Sequence, residues 1–169
     1  MSLSKKEIMQ EIVRCGRDPV YFTNNYAKIS EPMRGLIPFE LYDFQKEALG
    51  HFTENRFSVI LKARQLGIST TVAAYVCWLM LFQREKNVLV VATKLSTATN
   101  LVKKIKSIHK HLPPWLKIAD ININNRTSFE LTNGSQVKAS STSGDAGRSE
   151  ALTWDPLVNS NDVLLLILT

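Results

Sequence analysis

Residues 57–76 read FSVILKARQLGISTTVAAYV, two apolar runs joined by a short polar turn with a single glycine. A turn between a strand and a helix can bind phosphate, because the first N–H groups of a helix have no intrahelical acceptor and face an anion. The usual spacing is G-x-x-x-x-G-K-[ST]. Setting its second glycine on Gly67 puts Lys62 at the first glycine, Ile68 at the lysine and Ser69 at the hydroxyl. The glycine and the magnesium-side hydroxyl are in place, and the lysine is not. Lys62 and Arg64 stand at the other end of the turn, and either side chain is long enough to fold back over a phosphate. The same residues would also suit a plain strand-to-helix turn carrying two solvated cations.

The elements that must hold this turn are legible from periodicity. Residues 57–61 form a short apolar run that predicts a strand, and 70–84 predict a helix apolar nearly all round, which must therefore be buried. Residues 88–92, VLVVA, predict a second buried strand. Strand, turn, helix and strand give an α/β fold with a parallel sheet core flanked by helices. Upstream, helices are expected over 4–14, 19–28 and 42–55, with an extended connection at 29–40 that carries Pro32, Gly35 and Pro38. Downstream, 128–132 and 135–140 alternate apolar and polar around Asn133-Gly134, so a β-hairpin is added to the core. A loop spans 141–149, and 163–168, VLLLIL, could be one more buried strand.

Composition narrows the classes. The chain has 169 residues, 44% hydrophobic and 21% charged, which suits one folded domain and not a disordered segment. Two cysteines, Cys15 and Cys77, make neither a disulfide framework nor a zinc site, and a reducing compartment fits. The longest apolar run is the eleven residues 72–82, short of the roughly 18 that a membrane span needs, so a soluble protein without membrane attachment is expected. The net charge of +6 is local. Six lysines and no acid lie between Lys94 and Lys117, and the remainder balances at fifteen basic against fifteen acidic residues.

The helix expected over 94–112 divides this charge. Leu95, Ala98, Leu101, Val102, Ile105, Ile108 and Leu112 form a core stripe, while Lys103, Lys106 and Lys110 fall along another face. Such a face suits a polyanion such as nucleic acid, or it is an ordinary solvated surface.

KARQLGIST resembles the variant Walker A loop of tailed-phage large terminase subunits, the DNA-packaging ATPases. The similarity continues through DPVYFTNNYAKISEPMRGLIPFELYDFQKEAL, which resembles the family's approach to the loop with its adenine-side glutamine motif. VLVVATKLSTATNLVKKI and NGSQVKASSTSGDAGRSEAL resemble the segments that precede the Walker B strand. Together these cover residues 18–152. The resemblance implies a P-loop ATPase core over 42–152, a helical lead-in over 1–41 and an atypical tail over 153–169. It implies ATP and Mg2+ as cofactors, with Lys62 or Arg64 as the displaced catalytic cation. Gln65, Leu66 and Gly67 would shape the phosphate cradle, with Ser69 on the magnesium side and Thr70 beside it. Gln45 would read the adenine edge. Tyr42 would stack near the base or simply pack at a helix start, and Arg148 would stand near the active site or in a solvated loop. The implied partners are double-stranded DNA, a portal protein and a small terminase subunit. The intact protein would form a homo-oligomeric ring, in the cytoplasm of an infected bacterial host.

One departure from the pattern bears on hydrolysis. In the family an apolar strand ending in Asp-Glu follows the GRSEAL-like segment. Here Pro156 follows Asp155, and no acid follows VLLLIL. Nor do these residues contain the family's nuclease domain. The expectation is a nucleotide-binding ATPase part that hydrolyses poorly. A helicase-like P-loop translocase fragment and a non-enzymatic DNA-binding or assembly module are the alternatives.

Overall fold

A computed structural model describes residues 4–31, 33–55, 58–61, 63, 65–142 and the backbone of 163–168. Two helices open the chain. α1 (Lys5–Arg17) begins at a reciprocal cap: the Glu7 N–H donates to Ser4 Oγ at 3.3 Å and the Ser4 N–H to Glu7 Oε2 at 2.7 Å. α2 (Pro19–Tyr26) follows at once, its N–H groups at Val20 and Tyr21 taken by the Asp18 carboxylate. The expected extended connection is instead an antiparallel hairpin. β1 (Lys28–Glu31) pairs with β2 (Gly35–Pro38), Gly35 taking the left-handed φ of 73° after the turn. α3 (Asp43–Glu54) then leads toward the loop.

α4 (Ile68–Phe82) is the centre of the core, with every residue from Thr71 to Leu81 buried. It packs against α2 and α3 on one side and α5 (Leu95–Lys110) on another. Side chains such as Val76, Met80 and Leu81 each gain roughly 1.5–3 kcal/mol on leaving water. Polar groups in this core have partners. Trp78 Nε1 donates to Cys15 O at 2.8 Å, and Tyr75 Oη to Phe52 O at 3.0 Å. The end of α4 is capped from a distance: Asn133 Nδ2 donates to Met80 O (2.7 Å) and Gln83 O (3.2 Å), and Ser135 Oγ to Gln83 O (2.9 Å). The Asn133-Gly134 turn thus fixes the hairpin and also satisfies carbonyls the helix leaves open.

The sheet runs in the order β4 (Ile121–Asn124), β5 (Ser128–Leu131), β6 (Gln136–Ser141), β3 (Asn87–Ala92), β7 (Val163–Leu168). β3 is parallel to β6, from Asn87↔Gln136 to Ala92↔Ser141, and parallel to β7, from Asn87↔Val163 to Ala92↔Leu168. β4–β5 and β5–β6 are antiparallel. The class is mixed α/β with a short parallel core and the expected hairpin. One expected strand is missing. Residues 58–61 are irregular, with Val59 and Leu61 99% and 100% exposed. An apolar run becomes a strand only where it pairs with a neighbour's backbone, and among the described residues 58–61 pair with no strand: β3 is flanked by β6 and β7 instead. Leu95 departs too, at 44% exposure; it is the first residue of α5, and burial begins at Ala98. Among the described residues no helix is long and apolar enough to cross a membrane.

Candidate functional site

The turn before α4 is built from two left-handed residues, Gln65 (φ 68°) and Gly67 (φ 72°), with Leu66 between them. Gly67 is the N-cap of α4, and its carbonyl accepts from Thr70 N (2.8 Å) and Thr71 N (3.0 Å). The N–H groups of Ile68 and Ser69 therefore lie ahead of the helical ladder. Only glycine suits position 67, for two separate reasons. L side chains avoid that φ, and a Cβ there would stand 2.7 Å from Gln45 Nε2.

Gln45 is the piece beneath the loop. It is 2% exposed and uses its amide at both ends. Nε2 donates to Leu66 O at 3.0 Å, and Oε1 accepts from Tyr42 N at 3.1 Å. One amide thus caps α3 and ties it to the phosphate-loop candidate. These two bonds use one N–H and one lone pair of the amide. Above it lies an open crevice of about 760 Å³, which Gln45, Gln65, Leu66, Gly67 and Thr70 line from below. Tyr42 does not pack into the core: it is 69% exposed, and its ring stacks on Phe44 at 5.8 Å and 7° between planes. Both rings line the crevice, and Arg34 reaches it from the β1–β2 turn.

The structure therefore gathers four loop or helix-start residues, Gln65, Leu66, Gly67 and Thr70, with Gln45 and Tyr42 around one opening. Ser69, half-buried, sits in the first turn of α4 beside that group. Lys62 and Arg64 lie outside the described residues, as do Asp145, Arg148, Glu150 and Asp155. Arg34 and Phe44 were missed from sequence. Arg34 arrives through hairpin pairing that the prolines disguised, and Phe44 read as part of the apolar side of α3.

A second crevice, about 620 Å³, opens between α5 and the β4–β5 side of the sheet. Lys103, Lys106 and Lys110 all line it, with Lys117 and His109. Lys106 donates to Asn125 O and lies 5.8 Å from the Phe129 ring, so burial lowers its pKa. Lys117 Nζ donates to Lys110 O at 2.9 Å. Lys103 and Lys110 are exposed and make no ion pair among the described residues. His109 is 3% exposed, edge-on to Phe129 at 5.3 Å, with Nε2 buried and unpartnered. Burial, and secondarily the charge of Lys117, push its pKa down. The basic face is thus a groove with two free ammonium groups at its rim and a neutral imidazole in its wall.

No family model matches the chain. Its fold does match a solved structure, the crystal structure of the HK97 bacteriophage large terminase, with a TM-score of 0.63. The chain is similar in fold to a phage large terminase. The likeness covers 90% of this chain at 15% identity, and 37% of the terminase chain. At that identity it is the fold that is shared, and the chain spans well under half of the terminase it matches.

Proposed function

We propose that this chain is the nucleotide-binding ATPase part of a phage large terminase, the subunit that powers packaging of double-stranded DNA into procapsids. The observation that carries the reading is the seat of Gly67. A left-handed glycine starts a buried helix, rests on Gln45 and opens onto a crevice with stacked aromatic walls. This combination fits a polyphosphate at the helix start and a base toward Tyr42 and Phe44. The Ile68 and Ser69 N–H groups would face phosphate oxygens, and Gln45 would hold the loop open and spend its spare N–H on the base edge. Among the described residues no group of three or more His, Cys, Asp or Glu could hold a metal. By the same reading Mg2+ would be carried by the phosphates, with the Ser69 hydroxyl as its protein contact. Bound magnesium would supply charge neutralisation on the phosphates. Positions 62 and 64 would add the loop cations. The core would correspond to residues 42–152, with 1–41 as lead-in and 153–169 as an atypical tail.

Because no Asp-Glu pair follows an apolar strand in this sequence, hydrolysis by the 169-residue chain is proposed to be near background. The α5 groove with Lys103, Lys106 and Lys110 would meet DNA phosphates. The portal protein, the small subunit, a ring assembly and the infected-host cytoplasm belong to the same reading. Calorimetric titration with Mg-ATP and Mg-ADP tests it. Binding in the micromolar to millimolar range, lost in Gly67→Val, is expected. Heat-silent titrations at millimolar nucleotide, with no thermal stabilisation, would overturn the nucleotide reading.

A further inference from the structure

The lysine that the phosphate-loop spacing calls for is absent, because Ile68 holds that position and is buried at 7% exposure. A second element brings a cation to the first turn of α4. Lys104 of α5 reaches the first turn of α4, where its Nζ donates to Thr70 Oγ1 at 2.9 Å. Thr70 lines the crevice beside Gly67, so the ammonium is one hydrogen bond from the space a phosphate would fill. Its neighbours on α5 go elsewhere. Lys103 and Lys106 line the second groove, and the 100° step of a helix turns Lys104 away from them and toward α4. The ammonium meets a hydroxyl rather than a carboxylate, and no ion pair with Lys104 forms among the described residues. Burial against α4 lowers its pKa, as expected of a charge set partly out of water without a counter-ion.

We propose that Lys104 is a phosphate-binding residue of this site, contributing from α5 the positive charge that Ile68 cannot. The proposal rests on the nucleotide reading above. It adds, beside the loop cations at 62 and 64, a charge from a helix that packs on the loop. Thr70 then holds the ammonium in place until a phosphate oxygen takes it. The bland alternative is that the Lys104–Thr70 bond merely ties α5 to α4.

The two are separable. Mg-ATP and inorganic tripolyphosphate would be titrated against the unsubstituted chain, Lys104→Ala, Lys104→Arg and Tyr42→Ala, with the unliganded melting temperature of each. Lys104→Ala should weaken both ligands on the order of tenfold, the loss of one charged hydrogen bond. Lys104→Arg should recover most of that. Tyr42→Ala should weaken ATP and leave tripolyphosphate unchanged. Unliganded melting temperatures should stay close together, since the Lys104–Thr70 bond is exposed. If the unsubstituted chain binds ATP and Lys104→Ala binds it equally well, the Lys104 assignment is overturned and the nucleotide site stands. If Lys104→Ala loses several degrees of stability and arginine restores stability but not affinity, the residue is a structural tie only. If the unsubstituted chain binds neither ligand, both readings fall.

Discussion

Replacing Gly67 by alanine tests the loop at its tightest point. The methyl group must adopt a φ near 72°, which costs an L residue about 1–2 kcal/mol. It also lands 2.7 Å from Gln45 Nε2, closer than real Cβ atoms come to a neighbour. Gln45 cannot swing aside freely, because Nε2 is bonded to Leu66 O and Oε1 to Tyr42 N. Relief means breaking the Leu66 bond, about another 1 kcal/mol. Gly67→Ala should therefore lower unfolding stability by about 2–3 kcal/mol in urea titrations. The geometry also fixes how the cost divides. In a Gln45→Ala background the clash has no partner, and only the backbone strain remains. The double-mutant cycle should be subadditive by about 1 kcal/mol. Full additivity, or a Gly67→Ala chain as stable as its parent, would mean that the loop does not rest on Gln45 in solution.

Other parts of the structure give further tests. Asn133→Ala removes two donations to the last carbonyls of α4 and should cost about 1–3 kcal/mol, visible in thermal melts. His109 has a folded-state pKa below its usual 6.5, so the unfolded chain takes up protons first as the pH falls. Its contribution to stability is complete above about 6.5 and is lost below that, toward the lower folded pKa. His109→Phe should flatten the stability profile between pH 7 and 5 in urea titrations. Lys103→Glu with Lys110→Glu should weaken duplex DNA binding alike for all sequences and reduce its salt dependence, as filter binding at several ionic strengths would measure. ATP turnover by the 169-residue chain should stay near background with or without DNA in a phosphate-release assay.

Much of this architecture is written in local pattern. The all-apolar face of α4, the VLVVA strand and the Asn133-Gly134 hairpin follow from periodicity and turn chemistry, which act within a few residues. What sequence reasoning missed depends on distant partners. Residues 57–61 have the composition of a strand, yet strand formation depends on distant pairing partners, and the neighbours of β3 are β6 and β7. The β1–β2 hairpin was hidden by Pro32 and Pro38, which suggest a linker until Lys28↔Pro38 pairing is seen. The candidate site divides the same way. Gly67 could be named from the loop spacing and Gln45 from the family resemblance, but not the contact between them. Lys104 was passed over because the stripe of Lys103, Lys106 and Lys110 drew the charge to another face. Its tie to Thr70 is set by how α5 packs on α4.

Where a nucleotide sits is the most direct test of the whole account. Photolabelling with 8-azido-ATP, followed by peptide mapping, reads the base position in the intact chain. The account predicts magnesium-dependent, ATP-protectable label on the peptide that carries Tyr42 and Phe44, abolished in Gly67→Val. Label concentrated on the α5 groove around Lys103 and Lys110, or label that excess ATP does not displace, would contradict a nucleotide site at the start of α4.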